Sequence, residues 1–127
     1  LRRKKQLLIT STNLSFDRVF YFVDDLGGLF IPAHVNRQVF GLFYHLGFVP
    51  PDLPIEALEI SRHITVEQAW ENHPQTRNYP LIQSGDVHYL DDFLGVNQFS
   101  IANPTISEMK MALKNESGRC FCLCPSF

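Results

Sequence analysis

A chain of 127 residues with 45% hydrophobic and 19% charged side chains can bury a core and is too apolar to be disordered. Its formal net charge of −2 gives no general argument for nucleic acid, and the run Arg2-Arg3-Lys4-Lys5 reads as a solvated end. Leu7-Leu8-Ile9 is far too short for a signal-peptide core and no stretch approaches a membrane span, so a cytoplasmic chain with no membrane partner is expected.

Taken in order, residues 1–12 form a basic N-terminal segment. Ser15 stands at an N-cap position before Phe16, Val19, Phe20, Val23 and Leu26, which recur at helical spacing, and Gly27-Gly28 ends that helix. Leu29 to Ala33 is short, apolar and unalternated, as in a strand covered on both faces. A helix is expected over Gln38 to Leu46, with Val39, Leu42, Phe43 and Leu46 inward and Gly47 at its end. Pro50, Pro51 and Pro54 mark a stiff loop, followed by a strand from Ala57 to Ser61. Thr65 with Gln68 reads as a capping box opening a helix through Trp70, and Leu81 to Ser84 as a third strand. A polar, irregular segment with Asp91, Asp92 and Gly95 comes next. A second capping box, Thr105 with Glu108, opens a last helix, with Ile106, Met109, Ala112 and Leu113 inward, and Gly118 stops it. Residues 119–127 are a fourth strand or tail. Its Cys120, Cys122 and Cys124 are too clustered for a disulfide framework and lack partner ligands for a metal knuckle, so the tail is set aside as structural.

Strands alternating with helices imply an α/β fold with parallel pairing and right-handed crossovers. In such folds functional residues gather at the carboxyl ends of strands. Three candidates stand there: His34 after Leu29–Ala33, and the couple Asp86 and His88 after Tyr79-Pro80-Leu81-Ile82. Asp86-Val87-His88 stands at the end of that strand, where period-2 alternation sends the carboxylate and the imidazole the same way, toward one cation. Glu59, inside an apolar strand, must be paired and reads as a structural interior residue. His63 is a weaker site candidate at the same rim. His45, His73, Asp91 and Asp92 read as surface or turn positions, and Phe16, Phe20, Phe40 and Phe43 as core.

The segments Gly27-Gly28-Leu29-Phe30-Ile31-Pro32-Ala33-His34, Ala57-Leu58-Glu59-Ile60-Ser61 and Leu81-Ile82-Gln83-Ser84-Gly85-Asp86-Val87-His88 resemble the polymerase-and-histidinol-phosphatase (PHP) superfamily. The likeness covers most of residues 13 to 118. Thr10 to Asn13, Ile31 to Arg37 and Leu46 to Pro50 look most like the endonuclease Q-like branch. The resemblance implies a partial distorted (β/α)7 barrel of PHP type, with three to four βα units, the chain 1–127 being the C-terminal part of one domain. It implies His34, Asp86 and His88 as metal ligands for Mn2+, Zn2+ or Fe2+, and Asp86, His88 and Arg37 as catalytic, Arg37 facing phosphate. The implied activity is metal-dependent hydrolysis of a phosphoester, either a small molecule or DNA. The family's first motif, His-x-His, does not occur in these residues. The alternative is therefore a noncatalytic or degenerate PHP domain with a structural role, pairing with an N-terminal half or self-associating through exposed strand edges.

Overall fold

The computed structural model describes residues 12–124, so the basic run at Arg2–Lys5 and the last residues of the tail lie outside the described part. In chain order the elements are α1 (Phe16–Asp25), α2 (Leu42–Leu46), β1 (Leu58–Glu59), α3 (Val66–Asn72), β2 (Leu81–Ile82), β3 (Asn97–Ser100), α4 (Ile106–Leu113) and β4 (Cys120–Leu123). Short 3-10 turns occupy Pro74–Asn78 and Leu90–Asp92. No helix among the described residues is long and apolar enough to cross a membrane.

β1 and β2 pair in parallel, with Leu58 opposite Leu81 and Glu59 opposite Ile82. The crossover between them is α3, the expected βαβ unit. The segment before His34 runs along the other edge of β1: Glu59 N donates to the Pro32 oxygen at 3.0 Å and Val35 N to the Glu59 oxygen at 2.8 Å. It forms no regular strand, because Pro32 has no N–H to carry the ladder. Three segments thus lie side by side, and their carboxyl ends form one rim.

The core sits beneath that rim. Leu58, Ile60 and Val35 are fully buried, joined by Phe20, Leu42, Val49, Leu53, Ile55, Ala69 and Leu81. Phe16 and Phe30 meet edge to face at 5.1 Å, and Phe20 and Phe30 at 5.7 Å, fixing α1 over the first segment. α3 opens as its sequence requires: the Thr65 hydroxyl accepts from Gln68 N, and Gln68 Oε1 accepts from Thr65 N.

Several expectations need correction. The helix placed over 38–46 begins only at Leu42, because residues 34–41 coil tightly under it. A Cβ on Gly41 would come within 2.6 Å of the Val35 oxygen. Val39 and Phe40 are exposed as a result, so Phe40 is not core, and Leu46 also faces out. At α4, Thr105 accepts from Glu108 N, but the Glu108 carboxylate binds Ala102 N and Arg119 rather than closing a capping box. The stretch after Gly95 is not wholly irregular: β3 pairs antiparallel with β4, so the fourth strand is one arm of a separate two-stranded sheet. Phe99 packs on Phe121 across it at 4.8 Å between ring centres.

Core truncation should outweigh cap loss. Leu58→Ala is expected to cost about 3 kcal/mol and Thr65→Ala about 1 kcal/mol, checked by urea unfolding; equal costs would contradict this placement of the core.

Candidate functional site at the strand rim

Each of the three parallel segments delivers a polar group to a cleft of about 200 Å3, lined by His34, Arg37, Glu59, Ser61, Arg62, His63, Gly85 and Asp86. Glu59 is the hub. It is buried, and its two oxygens accept from His34 N and Ser84 N, each at 3.3 Å. A carboxylate in an apolar strand is paid for by these two bonds, one to each neighbouring segment. Ser61 and Asn36 add a second tie, the Asn36 Oδ1 accepting from Ser61 N at 2.8 Å.

His34 and Asp86 both hold a left-handed backbone, φ 31° and 54°, which non-glycine residues seldom adopt. At His34 the chain turns while Val35 N stays bonded to the Glu59 backbone oxygen of β1, and the His34 ring Nδ1 is buried with no hydrogen-bond partner. At Asp86 the turn follows Gly85, itself at φ 90°, where a Cβ would stand 3.1 Å from the Asp92 oxygen. The strand has ended at Ile82. The alternation argument therefore does not apply to Asp86 and His88, and their side chains do not share a strand face. The Asp86 carboxylate meets Arg37 Nη1 at 2.6 Å. His88 swings outward, with a side chain 71% exposed, and does not line the cleft; its Nδ1 lies 2.7 Å from the Asp86 backbone oxygen and 4.0 Å from Asp86 Oδ1. A carbonyl can only accept, so Nδ1 carries the proton and Nε2 is the free nitrogen of the neutral ring.

The structure thus brings His34, Arg37 and Asp86 together and leaves His88 at the edge. His63 does line the cleft. Arg62 was not singled out by sequence; its position directly after the Ala57–Ser61 run was the available signal. Glu59, assigned an interior structural role, fills that role and also faces the cleft. Among the described residues no three His, Cys, Asp or Glu side chains come close enough together to hold a metal ion. Arg62 reaches out of the cleft to Asp92, with Nη1 at 3.5 Å from Oδ1 and Nη2 donating to the backbone oxygen at 3.2 Å. A larger, mostly apolar cavity of about 710 Å3 lies alongside, sharing Arg62 and His63 and including Trp70 and Tyr79.

These features define a mixed helix-and-strand chain with a small parallel sheet and a polar, arginine-bearing cleft at its carboxyl rim. No protein-family model matches the chain, and no curated protein matches it. In three dimensions it is similar to the crystal structure of the novel lesion-specific endonuclease PfuEndoQ from Pyrococcus furiosus, with a TM-score of 0.69 and 22% sequence identity. The match covers 86% of this chain and 28% of that one, so this chain corresponds to a minor part of that enzyme. At that identity the likeness speaks for the fold. The described residues themselves show a two-stranded parallel sheet rather than a closed barrel.

The loop beyond the cleft has a built-in acid sensitivity. Asp92 Oδ2 accepts from His88 N and Tyr89 N at 3.0 and 2.9 Å, and these bonds, helped by Arg62, hold its carboxyl below the usual range. A depressed carboxyl stabilises the fold above its ordinary pKa of 3.8 and loses that contribution as pH falls through the lowered value. The His88 and Tyr89 amide NMR signals should therefore shift together below the ordinary aspartate range, and Asp92→Asn should abolish the transition. Independent movement of the two amides would contradict the shared acceptor.

Proposed function

We propose that the rim cleft is part of the active site of a PHP-type phosphoester hydrolase whose substrate is a phosphodiester of DNA. The observation that carries this reading is the convergence of His34, Glu59 and Asp86 with Arg37 and Arg62 on one cleft. The fold likeness to a lesion-specific endonuclease supports a nucleic-acid substrate over a small phosphomonoester.

The donor chemistry suits a divalent cation such as Mn2+, Zn2+ or Fe2+: a buried imidazole nitrogen without a partner, carboxylate oxygens, and no thiolate. The arrangement does not complete such a centre. Both Glu59 oxygens are spent on backbone amides, Asp86 Oδ2 is held by Arg37, and no three ligand-type side chains meet among the described residues. Further ligands would have to come from outside the described residues.

What the chain's own groups can do is narrower. Arg37 and Arg62 carry planar guanidinium forks that suit phosphoryl oxygens, and a phosphate entering the cleft competes with Asp86 for Arg37 and with Asp92 for Arg62. Asp86, released from that pair, can accept the proton of an attacking water. His88, with Nδ1 tied to the Asp86 carbonyl, presents Nε2 from the edge of the cleft for proton transfer or ligation.

A second reading is favoured by the same ion pair. In a degenerate domain Arg37 would neutralise Asp86 permanently, and the chain would serve a structural or interaction role. The two separate in one experiment: purify the protein with Mn2+ or Zn2+ present, quantify bound metal, and assay a generic phosphodiester. The hydrolase reading expects retained metal and turnover, falling on the order of a hundredfold in Asp86→Ala and in Arg37→Ala. A folded protein with neither metal nor turnover, indifferent to those substitutions, leaves the noncatalytic reading.

A further inference from the structure

Strand β4 carries thiols that neither the core nor the rim cleft uses. Cys120, Cys122 and Cys124 alternate with Phe121 and Leu123, and side chains two apart on a strand share a face. Phe121 and Leu123 are half-buried, with Phe121 packed on Phe99. Cys120 and Cys122 are exposed, and Cys124 is half-buried just past the strand's end. The outer face of β4 is therefore a row of sulfurs, two of them open to solvent.

The row is not evenly spaced. Residues two apart on an extended strand stand about 6.6 Å apart, yet Cys122 Sγ and Cys124 Sγ lie at 3.1 Å, within hydrogen-bonding distance. The two side chains lean toward each other, and a disulfide needs the sulfurs to close to about 2.05 Å. Cys120 is placed differently. It and Cys122 are both locked in the ladder, opposite Ser100 and Gln98. Cys124 lies beyond β4, where its N donates to the Val96 oxygen at 2.8 Å. The Cys122–Cys124 pair can close by bending backbone past the paired strand, whereas Cys120 cannot reach Cys122 without breaking the ladder itself.

We infer that Cys122 and Cys124 form a reversible dithiol–disulfide site whose reaction partner is a low-molecular-weight disulfide such as oxidised glutathione. The contact with Cys124 holds the Cys122 thiol above its usual range, so Cys122 keeps its proton and Cys124 attacks first. The Cys124 thiolate, its proton lost to solvent, displaces one thiolate from the small disulfide and leaves a mixed disulfide. Cys122 then gives its proton to the released thiolate, attacks the Cys124 sulfur and expels the second thiolate, which is protonated from solvent. Two protein thiols are oxidised to a disulfide, and one small disulfide is reduced to two thiols. Closure draws the Cβ atoms to about 3.8 Å, which extended backbone does not allow, so the Cys124 N bond to the Val96 oxygen is released. A disulfide closed under that strain is readily reduced again, as suits a switch rather than a staple. Phe121, Cys122 and Leu123 line the cavity of about 710 Å3 that shares Arg62 and His63 with the rim cleft, so the switch sits on that cavity's wall.

The test treats the full chain with oxidised glutathione and reads its intact mass under non-reducing conditions. Wild type should lose the mass of two hydrogens without a lasting adduct, and regain it in excess reduced glutathione. Cys122→Ser should keep a stable glutathione adduct instead, because the resolving thiol is gone. Cys124→Ser should not lose the two hydrogens, and Cys120→Ser should behave as wild type. In amide hydrogen exchange the Cys124 amide should lose protection on oxidation and recover it on reduction. Wild type left unchanged, or carrying only glutathione adducts, overturns the site. So does a mass loss that survives Cys124→Ser, that vanishes in Cys120→Ser, or that appears only in a disulfide-linked dimer.

Discussion

The carboxylate of Glu59 bridges two backbone amides that belong to different segments, His34 N on one side of β1 and Ser84 N on the other. Those amides begin the two turns that carry the candidate chemistry, so the position of the cleft depends on this one side chain. A buried carboxylate is tolerated only where donors surround it. Here the donors are the peptide groups whose placement matters. Sequence, packing and site meet at this residue: the apolar run Ala57–Ile60 buries β1, and the burial obliges its single acid to bind both neighbours.

What the clamp holds is strained. His34 and Asp86 each keep a left-handed backbone, at a cost of about 1–3 kcal/mol apiece. Neither residue has the glycine that would relieve it, and the surrounding bonds make up the difference. Val35 N donates to the Glu59 oxygen, Arg37 N to the His34 oxygen, and Arg37 closes on Asp86 from across the cleft. Strain over-determined in this way turns both side chains off their strands and toward the rim. The same turns leave His88 outside, bound to the Asp86 carbonyl and free to change partners.

Much of this was legible in the letters, and the failures have physical causes. Caps and stops were readable because they depend on local chemistry: Thr65 with Gln68, and the left-handed glycines at 27, 47 and 118. The rim position of His34 and Asp86 followed from strand order alone. The shared orientation of Asp86 and His88 did not, since two successive positive φ angles at Gly85 and Asp86 break the period of two, and only glycine announces such a conformation in sequence. The short α2 was hidden because helical spacing of Val39, Leu42, Phe43 and Leu46 says nothing of the tight backbone approach at Gly41. β3, which pairs with β4 across the intervening α4, was missed because Asn97, Gln98 and Ser100 are polar and only Phe99 is apolar.

Local rules therefore explain the elements, and one long-range polar contact explains why they make a site. Amide hydrogen exchange of Glu59→Leu, which removes both acceptor oxygens, against wild type addresses that contact directly. The amides of His34 and Ser84 should lose protection together, while Ile60 N, bonded to the Ile82 oxygen within the sheet, keeps its own. Protection at His34 and Ser84 surviving the substitution, or vanishing at only one of them, would contradict the clamp on which the cleft is built.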